Sequence, residues 1–289
     1  MPESGIRPEE KGPIGLLAGS GRFPLLFAQE ARRMNVPIVA LGIKGVTDPA
    51  LEAWTGPVNY VGLGQLSKPI AILKAAGVRR AVMMGKVQHS SLFGAVIPDL
   101  RAIKILAGLR DKRTDTILRA VAEEFSKDGI ELLSSATFLS HLMVPEGRLT
   151  KRKPSKSEYE DIRLGWSAAK TVAGFDIGQT VVVKDKAVIA VEAMEGTDAC
   201  ILRARDIAAA HGKKTALTVI KVAKPKQDLR FDIPVLGLDT LKTFAAAGVS
   251  ALAAEAGTTI IFDKDDFIRQ ADRQDLAIVG LPAQGPEES

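Results

Sequence analysis

Cysteine is almost absent from this chain of 289 residues: Cys200 stands alone, so no intrachain disulfide can form, and a reducing cytoplasm is the expected compartment. Histidine is nearly as scarce. His89, His141 and His211 are scattered, and neither a histidine-based metal cage nor a nucleophile–His–Asp triad is apparent. Aromatic residues make up only 5%. No RNP-type aromatic motif, zinc-finger spacing or basic region with heptads occurs, so the common nucleic-acid modules are excluded. No run of about 18 uncharged apolar residues exists, which excludes a membrane-spanning helix. Residues 1–13 are polar and contain acids; without an apolar stretch there, no secretory signal is expected. Neither an internal repeat of fixed period nor a low-complexity tract is present.

What remains describes a globular chain. At 46% hydrophobic and 25% charged, it is too apolar for disorder. Its length exceeds one typical core, and two domains are expected. The net charge of +5 suits anionic partners such as nucleotides or phospholipids without choosing among them.

Short apolar runs alternate with helical periodicity in the first half. Strands are expected at residues 14–18, 36–41, 58–60, 81–84 and 131–133. Helices are expected at 23–34, 68–76, 103–109 and 114–128. That alternation predicts a parallel α/β layer. Residues 145–157 are charged and turn-rich, and the domain boundary is placed there, giving domains 1–150 and 151–289. The second half predicts a helix at 161–172, a hairpin of 180–183 with 187–191, and helices at 199–211, 240–247 and 264–271. Strands are expected at 216–220, 234–236, 250–254 and 259–262, and a disordered tail from Pro282. The fold class is thus α/β: an N-terminal Rossmann-like parallel-sheet domain and a mixed α/β C-terminal domain.

Four constellations carry candidate chemistry. Gly19-Ser20-Gly21-Arg22 lies between a strand and a helix, where glycines let an anion approach backbone N–H groups. It is neither a GxGxxG fingerprint nor a Walker A loop, and a plain turn with Ser20 as helix cap is the simpler reading. Lys86 follows the strand at 81–84, at the strand end where open α/β sheets bind ligands; a solvated lysine is the alternative. Glu192, Glu195 and Asp198 recur at spacing three around Gly196 and Thr197. One or two such carboxylates suffice for Mg²⁺ when water and substrate phosphate supply the rest, although Thr197 and Asp198 also suit a helix N-cap. The fourth, from Lys221 to Pro234, is the most informative. If extended, Asp228, Arg230 and Asp232 share one side and Leu229, Phe231 and Ile233 the other. Carboxylates there can hold a metal or orient water, while Lys224, Gln227 and Arg230 can neutralise a pyrophosphate. A surface ladder of salt bridges is the bland alternative. Thr114-Asp115-Thr116 reads as a helix start, residues 134–137 as a loop lining a cleft, and Cys200 as a buried structural thiol.

Together these segments resemble the UDP-2,3-diacylglucosamine pyrophosphatases of the lipid A pathway, in their alphaproteobacterial type. The resemblance runs from Gly15 to about Phe262 and rests on residues 17–24, 114–116, 176–183, 190–198 and 224–234. It implies hydrolysis of UDP-2,3-diacylglucosamine to UMP and 2,3-diacylglucosamine 1-phosphate (lipid X), with water directed at the β-phosphate. It also implies Mg²⁺ dependence and a lipid bound in a cleft between two domains that open about a hinge. In that light Asp228 positions metal or water, with Glu195, Asp198 or Asp232 completing the metal site. Lys224, Gln227 and Arg230 hold phosphates, and Gly19, Ser20, Gly21, Arg22, Lys86, Thr137 and Thr197 bind substrate. A cytoplasmic location with peripheral contact to the inner membrane is expected, no nucleic-acid partner is, and a homodimer is left open. The competing reading is a nucleotide-binding regulatory protein without hydrolysis; a general nucleotide-sugar pyrophosphatase is the nearer rival.

Overall fold

The structure, a computed structural model, describes residues 12–87, 98–109, 114–210, 216–224, 228, 230, 231 and 233–286. The chain divides into two compact units. The first comprises Met1–Leu139 with Asp228–Asp232, the second Ser140–Gln227 with Ile233–Ser289. The change at Leu139 precedes the charged stretch at 145–157. Five residues of the loop that leads to Pro234 belong with the first unit rather than with the strands around them.

In the first unit, β1 (Ile14–Ala18), β2 (Ile38–Ile43), β3 (Val58–Val61), β4 (Arg80–Met84) and β5 (Glu131–Leu132) form one sheet in the order β3-β2-β1-β4-β5, with every pairing parallel. This is a doubly wound order whose direction reverses beside β1, and sheets of this kind generally bind ligands in the crevice at the C-terminal strand ends, here those of β1 and β4. Burial on both faces explains why β1 reads as an unbroken apolar run: Ile14 and Leu16 are fully buried. The second strand starts at Ile38 rather than Val36, because Pro37 has no N–H for the ladder and serves only through its carbonyl, which accepts from Ile14 N. The helices are α1 (Phe23–Arg33), α2 (Glu52–Thr55), α3 (Ser67–Ala75), α4 (Leu100–Gly108) and α5 (Thr114–Lys127). Helix α1 buries Pro24, Phe27, Ala28 and Ala31, the spacing of one helical face, and carries Arg32 and Arg33 in its last turn. Leu41, Leu73, Ala81, Phe125 and Leu132 form the core between sheet and helices, and Phe231 packs against it from the far end of the sequence.

The second unit holds a six-stranded mixed sheet in the order β6-β13-β11-β9-β7-β8. Its strands are β6 (Gly147–Arg148), β7 (Thr180–Lys184), β8 (Ala187–Val191), β9 (Leu217–Lys221), β11 (Val249–Glu255) and β13 (Ala277–Leu281); β10 (Val235–Leu236) and β12 (Ile260–Ile261) pair separately. The expected hairpin of β7 and β8 is present. Asp185 and Lys186 both take positive φ at its turn, the conformation a two-residue hairpin loop requires. Helix α6 (Lys156–Gly174) covers one face through Ile162, Trp166 and Ala169, against Val181, Val183 and Ile220. Helices α7 (Thr197–Ala210), α8 (Leu238–Ala247) and α9 (Lys264–Arg273) cover the other, against Val182 and Val219. Adjacent residues of one strand thus serve opposite cores.

Two expectations are corrected here. Helix α6 begins at Lys156, five residues earlier than predicted, because Ser155 and Glu158 form a reciprocal capping box and Arg152 holds both oxygens of Glu158 at 2.9 Å. The tail is not loose from Pro282. Ala283 accepts a hydrogen bond from the Trp166 indole at 3.5 Å, and a side chain at Gly285 would collide with that ring. The preceding strand β13, which the sequence reading missed, sits between β6 and β11.

Candidate active site

Two loops meet at the switch point of the first unit. Gly19-Ser20-Gly21 follows β1, and Gly85-Lys86 follows β4. Ser20 N donates to Lys86 O at 2.8 Å, Lys86 N to Ser20 O at 2.9 Å, and the Ser20 hydroxyl to Lys86 O at 2.8 Å. The approach is too close for side chains: a Cβ on Gly19 would lie 2.7 Å from Lys86 O, and one on Gly85, whose φ is +92°, 2.6 Å from Ser20 O. Only glycine fits both places. Ser20 is therefore not the helix cap. Arg22 occupies that position, without a side-chain cap bond, and it and Lys86 are exposed. Thr137 turns its hydroxyl back to Ser134 O at 2.7 Å.

The Asp228 segment joins this same unit. Its described residues do not run extended: Phe231 N donates to Asp228 O at 3.0 Å, closing a turn. The turn forms because the Asp228 carboxylate captures the chain that follows. Oδ1 accepts from Arg230 N at 3.1 Å and from Arg230 Nε at 2.8 Å, and Oδ2 accepts from Arg230 Nη2 at 2.6 Å. Side-chain hydrogen bonds from Arg230, opposed by burial and aided by its backbone N–H, hold the Asp228 carboxyl below the usual carboxylate range. Arg119 on α5 adds a smaller pull in the same direction. Among the described residues, three of about four lone-pair positions on the carboxylate are filled, two on Oδ1 and one on Oδ2. Arg230 spends two of its five N–H donors on Asp228. One guanidinium can therefore grip the carboxylate and an incoming phosphate oxygen at once. Both side chains remain partly open, at 23% and 35% exposure for Asp228 and Arg230.

The second unit holds the other acids and bases. Lys224 forms a close ion pair with Asp176, which adopts positive φ. Gly178 presses on the turn after β8, where a Cβ would come within 2.0 Å of Glu192 O. Glu192 accepts from the Thr197 hydroxyl at 2.9 Å. Lys221, only 6% exposed, donates to the same hydroxyl at 2.9 Å and to Thr180 at 3.4 Å. Lys221 is a site-lining residue with no role assigned from sequence; its position at the end of a fully buried strand is the signal that it faces inward. Glu195 turns to Arg203 and to Ala193 N, and Arg203 holds its carboxyl below the usual range. Asp198 is an exposed acid in the first turn of α7, favourably placed for the helix dipole. Cys200 is fully buried and burial pushes its thiol up to about 11, so it is no nucleophile.

Gln227, Asp232, His89 and His211 lie outside the described residues. Among the described residues, no three His, Cys, Asp or Glu side chains converge as a metal cage. Singly, described carboxylates such as that of Asp228 could still hold Mg²⁺, which takes one or two carboxylates and completes its shell with water and phosphate oxygens. No described helix is long and apolar enough to cross a membrane.

A doubly wound parallel sheet with an interlocked glycine loop at its switch point and an Asp–Arg pair in the same unit, together with a second unit built on a mixed sheet, define a two-unit α/β protein. Family comparison places it within that class. Residues 13–142 match the LpxI N-terminal domain and residues 145–279 the LpxI C-terminal domain. The chain is also 32% identical over 277 residues to the UDP-2,3-diacylglucosamine pyrophosphatase LpxI of Caulobacter vibrioides, covering 94% of this chain and 98% of that protein. The chain belongs to the LpxI family.

Proposed function

We propose that this chain is an enzyme that hydrolyses UDP-2,3-diacylglucosamine, releasing UMP and 2,3-diacylglucosamine 1-phosphate. Family membership and the named activity of the Caulobacter relative support the reaction class. The observation that carries the site is the Asp228–Arg230 pair: an ionised carboxylate beside a guanidinium that, among the described residues, commits two of its five N–H donors to it.

In the proposed reaction, a water oxygen bonds to the β-phosphorus. The bond from that phosphorus to the bridging oxygen breaks, its electron pair leaves with UMP, and a water proton passes to solvent. A carboxylate held below its usual range is a weak base, so the task that fits Asp228 is to orient the water and balance local charge. Arg230 steadies the negative charge of the pyrophosphate, with Lys224 and Gln227 as further phosphate ligands. Charge stabilisation and positioning are most of the work in phosphoryl transfer. Ser20, with Gly19, Gly21, Arg22, Lys86 and Thr137, forms the proposed substrate-binding rim of the first unit, and Thr197 that of the second. A divalent cation, for which we propose Mg²⁺, would supply further neutralisation when bound, with Asp228 its best described donor and Glu195, Asp198 and Asp232 the remaining candidates.

The test is UMP release from the acylated UDP-sugar, with UDP-GlcNAc as a substrate lacking acyl chains, each with and without chelator. Release from the acylated substrate alone, lost on chelation, is expected. Tight binding without UMP release would refute the hydrolase reading, and equal turnover of UDP-GlcNAc would refute the lipid specificity.

A further inference from the structure

Ser135 has no place in the chemistry just described, yet its burial and bonding are unusual for a loop serine. It is 1% exposed, so it cannot touch a substrate. Its hydroxyl lies 2.7 Å from Arg230 O, 95 residues away, and 3.0 Å from Met83 O, 52 residues away. A hydroxyl has one proton, and the shorter distance gives it to Arg230 O for more of the time. Met83 stands two residues before Gly85 and three before Lys86, the loop interlocked with Ser20. One buried oxygen therefore joins the end of β4 to the turn that presents Asp228 and Arg230. Among the described residues it makes the one side-chain hydrogen bond to the main chain of that turn from outside it. Among the described residues, the turn is also held by the charges of Arg119 and Glu123 on α5 and by Phe231, which packs on the core with the Arg230 guanidinium 5.0 Å from its ring centroid. Packing of this kind fixes depth but slides easily along the surface, whereas a hydrogen bond to a carbonyl fixes a direction.

We propose that Ser135 is a positioning residue for the reaction, holding the Arg230 main chain to the end of β4 so that the Asp228–Arg230 pair keeps its place there. This rests on the functional reading above, so the experiment measures both. Steady-state UMP release is followed for the wild type, Ser135→Ala, Arg230→Ala, the double variant and Asp228→Ala, with thermal midpoints recorded for each. Ser135→Ala should lower kcat by about tenfold, the scale on which small misplacements act, with KM nearly unchanged. In the Arg230→Ala background the same substitution should cost less than about twofold, because the main-chain carbonyl it bonds is kept but the Asp228–Arg230 pair it positions is already broken. Ser135→Thr, which keeps the hydroxyl, should recover most of the loss. Wild-type kcat in Ser135→Ala, or an undiminished tenfold loss in the double variant, would overturn the positioning role. Full activity in Asp228→Ala would instead overturn the site on which the role depends.

Discussion

Replacing Asp99 by alanine removes one carboxylate that caps two helices. Helix α3 has no side-chain cap of its own: Leu66 stands at its N-cap position. Asp99 supplies the cap from over thirty residues downstream, with Oδ2 accepting from Leu66 N at 2.9 Å and Ser67 N at 2.6 Å. Its Oδ1 caps α4 through Ala102 N at 3.0 Å. Burial pushes the carboxyl up, but these backbone donors outweigh it and hold the group down to about 2. Against an ordinary value near 3.9, a depression of about two units corresponds to roughly 2.5 kcal/mol. Partial exposure screens that to about 1–2 kcal/mol, and two N-caps at about 1 kcal/mol each give a similar figure. A depressed pKa contributes stability that is full above the unfolded value and fades as pH falls through the folded one. The penalty of Asp99→Ala should therefore be complete at neutral pH and shrink between about pH 4 and pH 2. The two tryptophans make the assay simple, since Trp54 lies in the first unit and Trp166 in the second. In a Trp166→Phe background, Trp54 fluorescence during urea unfolding reports the unit that holds Asp99. A loss below about 0.5 kcal/mol, or one that does not diminish in acid, would refute the double-cap argument.

Glu255→Ala should destabilise the second unit by about 3 kcal/mol, since the buried carboxylate accepts from Lys170 Nζ at 2.6 Å and Ala223 N at 2.8 Å and both would lose their partner; denaturant unfolding followed through Trp166 measures it. Cys200 should resist a thiol reagent in the native protein and react at once on unfolding, because it is fully buried with its thiol pushed up to about 11. Gly178→Ala should lower the thermal midpoint by several degrees or prevent folding of the second unit, as its Cβ would overlap Glu192 O.

The sheets were legible where local pattern and tertiary role coincide. Strand β1 announces itself because it is buried on both faces and flanked by glycine, and the β7–β8 hairpin because its turn is polar between two apolar runs. Strand β13 was missed although residues 277–281 are apolar. Its Gly280 weakens the pattern, and the reason for that glycine, a backbone approach to Pro145 O, is 135 residues distant. The start of α6 was readable: Ser155-x-x-Glu158 is a capping box, hidden only by the basic residues before it. The candidate loop shows the limit most clearly. Alternating charges set Asp228 and Arg230 on one side of the loop if extended, but extension was the wrong geometry, because a short carboxylate bonds a following N–H and draws the chain into a turn. That this turn belongs with the first unit depends on Phe231 and Ser135, whose contacts lie about a hundred residues away and leave no local trace.

UMP release by Asp228→Ala and Asp228→Asn decides whether the Asp228 carboxylate acts in the reaction. Asparagine keeps the shape and an acceptor for Arg230 while removing the charge. Turnover should fall by about a thousandfold or more in both variants, the scale of losing a principal electrostatic group from a reacting site, with unfolding midpoints close to the wild type. Hydrolysis within a few-fold of wild type in the folded Asp228→Asn protein would contradict the account and leave the Asp228–Arg230 pair a structural turn.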